Sequence, residues 1–199
     1  MKDHRNFFPY IGTICAAVVL LFIVNSCQYD YSSPLPGTID IRLHTKSTLL
    51  PFQPNNNFVL KVSSVSAIRT EDGARVTVYE DPSAINRTLN IFNTLDSLAK
   101  DSMMIMGQTP IPPGNYRGID LSIRPGASAI LDGYRNILVK LPDRFDPTLH
   151  FLKNFEIKEL WTSRIVLTID LDSSLVKGAN NYYFFPKYYI SSVEYFPPQ

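Results

Sequence analysis

Two stretches of the chain place a serine three residues before a lysine: Ser97-Leu98-Ala99-Lys100 and Ser174-Leu175-Val176-Lys177. On a helix that spacing sets an amine one turn from the hydroxyl, which is how penicillin-interacting enzymes activate a serine nucleophile. The Ser-Asp-Asn and Lys-Thr-Gly elements that complete such sites do not occur here, and serine and lysine are common enough for the spacing to arise by chance. Asp170-Leu171-Asp172-Ser173 sets two carboxylates on one face of a strand, where calcium could bind. It lacks the glycine and terminal glutamate of a calcium hand, which favours a solvated strand end. Glu156 and Glu159, near Trp161, offer the paired acids of a sugar-cleaving site, but the same spacing is common on solvated faces. His4, His44 and His150 are far apart, with no His or Cys at ligand spacing, whereas zinc needs three or four ligands. The expectation is therefore no metal, no other cofactor and no catalytic set.

The two cysteines are more informative. Lys2 and Arg5 precede the apolar run FFPYIGTICAAVVLLFIV at 7–24, the charged and apolar regions of an export signal. That run is also long enough to be kept as a membrane anchor, and this alternative stays open. Val24-Asn25-Ser26-Cys27 resembles the lipobox of bacterial lipoproteins, with an aliphatic residue three before the cysteine and a small one just before it. The resemblance implies that Cys27 takes a diacylglyceryl group and becomes the first residue after cleavage. Asn25 departs from the small or β-branched residue usual at its position. Cleavage would discard Cys15, leaving no thiol nucleophile and no disulfide. It would also remove Lys2, Arg5 and Asp3 from the 19 basic and 18 acidic residues, giving a formal charge of zero. A nucleic-acid partner is not expected without a basic surplus. Gln28, where some inner-membrane lipoproteins carry Asp, favours the outer membrane.

Beyond a short polar, proline-bearing tether at 27–37, the chain reads as strands. Ile39, Ile41 and Leu43 alternate with Asp40, Arg42 and His44. The period recurs at Phe58-Leu60-Val62, 75–79, 119–123 and 136–141. It is clearest where Trp161, Ile165, Leu167, Ile169 and Leu171 share a face with Ser163. Turn signals separate these runs at 71–73, 112–115, 124–126, 131–133 and 177–181. The pattern predicts an all-β, antiparallel sandwich over 38–196, with one short helix or crossover near 91–100, where Ile91, Leu95 and Leu98 have helical spacing.

GTIDIRL at 37–43, IPPGNYRGIDLSI at 111–123, VLTIDLDSSLV at 166–176 and FPKYYISSVEY at 185–195 follow one another in a familiar order. Together they resemble the bacterial lipoprotein domain of unknown function 4382. The resemblance implies a prealbumin-like sandwich and no reaction. The family's Thr-Asp-Ala-Pro after the first strand is replaced here by Thr45-Lys46-Ser47 and the insertion TLLPFQPNNN, so no ligand role is carried over for that loop.

The segment 182–196 is rich in aromatics. A regular strand would put Tyr183, Phe185 and Tyr189 opposite Tyr182, Phe184 and Tyr188. One aromatic face belongs in the core. Residues Tyr182, Tyr183, Phe185, Tyr188 and Tyr189 are the candidates for an interaction surface facing a protein or carbohydrate ligand, and Pro186 marks a bulge or edge. The sequence thus predicts a lipid-anchored envelope sandwich acting as a non-catalytic binding or structural module. The alternatives are an anchored hydrolase or carbohydrate-active enzyme using acidic residues, and a signal-anchored periplasmic adhesion domain.

Overall fold

The structure, a computed structural model, describes residues 33–47, 58–83, 88–90, 103–125, 129–132, 135–142 and 144–198. Cys27, the apolar run at 7–24, the Ser97-to-Lys100 motif and the helix expected near 91–100 lie outside these residues. No helix among the described residues is long and apolar enough to cross a membrane. Pro34–Gln199 forms one compact unit, and its described residues make an all-β sandwich.

The first sheet takes its form from two strands with strong alternation. In β1 (Gly37–Lys46), Ile39, Ile41 and Leu43 are fully buried, and in β10 (Thr162–Asp170) so are Ile165, Leu167 and Ile169. The two strands pair in parallel at the centre of the sheet. They are flanked antiparallel by β5 (Met104–Ile111) beside β1 and β13 (Tyr188–Phe196) beside β10. Ser163, on the inner face of β10, is satisfied by donating to the Glu156 carbonyl at 3.2 Å.

The second sheet runs β3 (Arg75–Glu80), β2 (Val59–Arg69), β6 (Gly114–Pro125) and β9 (Thr148–Ile157), all antiparallel, with β4 (Thr88–Asn90) also pairing with β2. In β2, Val62 and Val65 are an odd number of residues apart and would face opposite ways in a regular strand. A bulge between Val62 and Ser64 resets the alternation, so both valines are buried. They join Ile119, Leu121, Leu149 and Phe151 against the inner face of the first sheet in a single core. A third, smaller sheet is ordered β11 (Leu175–Lys177), β12 (Asn181–Phe184), β8 (Arg135–Lys140) and β7 (Ala129–Asp132). Phe184 of β12 extends the core by meeting the edge of Phe58, with centroids 4.7 Å apart and planes at 82°.

The motif residues at 37 and 112–116 have definite physical tasks. A side chain on Gly37 would overlap the Lys158 carbonyl oxygen. Gly114 has φ 138°, a conformation open to glycine and hardly to other residues, and it turns the chain into β6. The fully buried Tyr116 ring then stacks on Phe155 at 5.6 Å, and its hydroxyl donates to the Pro112 carbonyl at 2.8 Å. This closes the turn in the manner of a tyrosine corner.

The aromatic segment differs from expectation. Residues 182–196 form two strands in two different sheets, because Pro186, which has no N–H to give a ladder, falls in the break between β12 and β13.

Burial raises the Tyr116 phenol above its ordinary value of 10, so the folded chain keeps a proton that the unfolded chain releases near that pH. Stability is intact below pH 10 and falls as pH rises beyond it. Tyr116→Phe should lower the unfolding free energy by about 1 kcal/mol at neutral pH and show a smaller further loss above pH 10. Urea unfolding across the pH range reads both effects.

Candidate functional site

The chain leaves the first sheet at the end of β10 and returns to it at the start of β13. It leaves through a single helical turn, α1 (Leu171–Ser174), whose N-cap Asp170 accepts from Ser173 N at 3.1 Å. It returns through residues 185–187. The two crossings are bonded to each other: Phe185 N donates to Ser174 O at 2.8 Å, Lys187 N to Ser174 Oγ at 2.8 Å, and Asp170 N to Lys187 O at 2.9 Å. Ser174 Oγ, fully buried, in turn donates to the Asp170 carbonyl. The backbone carrying Phe185, Pro186 and Lys187 is therefore held at three points.

Facing it is a loop of which Pro142 and residues 144–148 are described. Phe145 N bonds to Pro142 O at 3.1 Å, Thr148 N to Asp146 Oδ1 at 2.8 Å, and Pro147 O accepts from Ile123 N at 2.7 Å. This loop is fixed by its own turns and by β6. Between the two walls lies an open cleft of about 380 Å³, floored by Leu149, His150 and Tyr188, a volume at the small end of the range for ligand sites. Phe145, Phe185, Pro186 and Tyr188 give it apolar surface, while Arg144, Asp146, His150 and Lys187 give it polar and charged groups.

The floor is ordered by a buried charge. Asp120, whose side chain is 4 % exposed on the outer face of β6, accepts from Arg75 Nε at 2.7 Å and meets His150 Nδ1 at 2.6 Å. The other nitrogen of that imidazole lies 3.8 Å from Asp146 Oδ2. Tyr188 is held by two contacts, its ring 4.7 Å from Phe151 and its hydroxyl accepting from His150 N at 3.2 Å.

Of the surface candidates read from the sequence, Phe185 and Tyr188 come together in this cleft. Tyr183 is exposed on β12 and Tyr189 is exposed on β13. Tyr182 is buried, because the alternation that turns Phe184 into the core turns Tyr182 in with it. Arg144, Phe145, Asp146, His150 and Lys187 were not singled out for binding. The one local sign of the opposite wall is that aromatic and charged residues sit between Pro142 and Pro147 just before a strand.

The other motifs resolve into structural roles. Ser174 and Lys177 do not share a helical turn, since α1 ends at Ser174 and Lys177 belongs to β11. Asp170 caps α1, and Asp172 accepts from Ser47 Oγ. Glu156 and Glu159 are both exposed. Among the described residues no group of three His, Cys, Asp or Glu could hold a metal ion.

The family described as Domain of unknown function (DUF4382) matches residues 37–186. The chain belongs to that family. The match opens at Gly37, with its tight backbone approach, and closes at Pro186 in the return crossing. No curated protein and no solved structure matches the chain significantly.

Ser174→Ala would leave the Lys187 amide without its acceptor, and should lower the unfolding free energy by about 1–3 kcal/mol in a denaturant titration. With Ser174 in this structural role, its hydroxyl should not be labelled by a fluorophosphonate, read by peptide mapping of the treated chain.

Proposed function

We propose that this protein is a lipid-anchored β-sandwich of the bacterial cell envelope, prealbumin-like in its kinship, that binds a ligand without transforming it. The observation that carries the binding reading is the cleft between the two pinned walls. Its exposed Phe185 rests on a backbone fixed in advance, so little ordering cost is left for the moment of binding. Three of the acids are engaged in the fold: Asp120 clamps Arg75 and His150, Asp170 caps α1, and Asp172 holds Ser47. The anchor is Cys27 with its lipobox, and Gln28 favours delivery to the outer membrane. A short tether then holds the domain near the bilayer.

One observation favours the hydrolase as a second reading. Asp120 orients the His150 imidazole at 2.6 Å inside the cleft, as an acid orients a general base. Turnover separates the two readings. Against a panel of nitrophenyl esters and glycosides, the full chain should show no hydrolysis above buffer. Hydrolysis that disappears in His150→Gln would replace the binding reading with the enzymatic one.

The anchor is tested independently. Cells fed a palmitate analogue should label the wild type and not Cys27→Ala, and the labelled chain should sediment with outer membranes. A wild-type chain that retains residues 1–26 and takes no label would instead be a signal-anchored domain.

A further inference from the structure

The geometry points to an acidic saccharide, one or two sugar rings carrying a carboxylate or phosphate, as the ligand of this cleft. The assignment rests on the binding reading above and goes on to name the chemical class. Four features of the walls select that class together.

Phe185 is 46 % exposed although its backbone is fixed by Ser174. An aromatic face held open in this way suits the C–H face of a sugar ring, which covers it without the shape demands of a buried pocket. The two cations come from different walls, Arg144 from the loop and Lys187 from the crossing, and neither forms an ion pair among the described residues. An anionic group lying between them would gain both charges, with the guanidinium fork able to grip two oxygens at once.

Asp146 supplies the third feature. Its Oδ1 is taken by Thr148 N, while Oδ2 stands 3.8 Å from His150 Nε2 on a side chain that is 68 % exposed. A carboxylate lining the same cleft as two cations is a poor partner for a simple organic acid, which has only like charge to offer it. A polyhydroxylated acid gives its anionic group to Arg144 and Lys187 and its hydroxyl protons to Asp146. A neutral sugar would leave both cations unused, and a polycation would be repelled by them. The fourth feature is size, since about 380 Å³ admits one or two rings and the open form lets a longer glycan continue outside.

The test uses the full chain in detergent with five probes: digalacturonate, glucose 6-phosphate, lactose, benzoate and a hexaglutamate peptide. Amide resonances of His150, Phe185 and Lys187 are followed on titration. Digalacturonate or glucose 6-phosphate should move these resonances and bind at least about tenfold more tightly than lactose. Arg144→Ala and Lys187→Ala should each remove most of that advantage, and Phe185→Ala should weaken every sugar; all three residues are exposed, so the variants should fold. If lactose binds as well as the acids, the acidic class is overturned. If benzoate or the peptide moves the same resonances more strongly than any sugar, the saccharide is overturned while the binding site stands. If no probe moves them, both the saccharide and the cleft as a binding site are overturned.

Discussion

The buried hydroxyl of Ser174 is the constraint on which the upper part of the molecule depends. The chain must leave the sandwich after β10 to build the small sheet and must come back to form β13. Each departure from a sheet strands backbone groups that water cannot reach, and these must find partners within the protein. Here the two crossings satisfy one another. Ser174 accepts from Lys187 N and donates to the Asp170 carbonyl, its own carbonyl accepts from Phe185 N, and the Asp170 amide closes on Lys187 O. The small sheet, the break at Pro186 and one wall of the cleft all follow from that exchange. A rigid aromatic wall is thus a consequence of how the fold solves a hydrogen-bonding problem.

A second constraint recurs on both outer faces. Each large sheet carries one aspartate at the middle of an inner strand, almost closed off from solvent and held by cationic or titratable partners. Asp40 on β1 accepts from Arg164 Nε at 2.8 Å and Arg42 Nε at 3.1 Å, and Arg164 also lies over the Phe196 ring at 4.7 Å. Asp120 on β6 has Arg75 and His150. A buried carboxylate costs several kcal/mol to desolvate and is kept only where its partners are well placed. In the first sheet the clamp ties β1 to β10, the parallel pair at the centre. In the second it ties β3, β6 and β9 together and fixes the imidazole on the floor of the cleft. One interaction thereby serves both the sheet and the site.

Much of the sandwich was legible in the sequence because its central strands alternate cleanly. Ile39 to Leu43, Ile119 to Ile123 and Ile165 to Ile169 bury the residues that their period of two selects. The two long strands that were not read, β5 and β9, have interrupted periods. In β5 the register with β1 shifts between Ile41 and Arg42, so Met106 and Gly107 break the count, and in β9 a shift opposite Tyr116 and Gly118 separates Phe151 from Phe155. Pairing partners repair such interruptions, and a single strand's sequence does not contain them. The site was legible by half. The aromatic wealth of 182–189 pointed to Phe185 and Tyr188, but the aromatic and charged residues between Pro142 and Pro147 do not say which part of the chain Arg144 to Thr148 will face. Ser174 was conspicuous for a catalytic spacing, while its structural partner stands thirteen residues along the chain and is invisible to a motif.

The cleft exists as a binding site only if the return crossing is as fixed as its hydrogen bonds imply. Native-state amide hydrogen exchange on the wild-type chain measures this directly, because exchange reports the free energy of local opening. The Phe185 and Lys187 amides should be protected as strongly as those of Ile165 and Leu167 in the central strand. If they exchange as fast as the amides of Glu71 and Asp72 in the exposed turn, the cleft has no preformed wall and no ligand site is built on it.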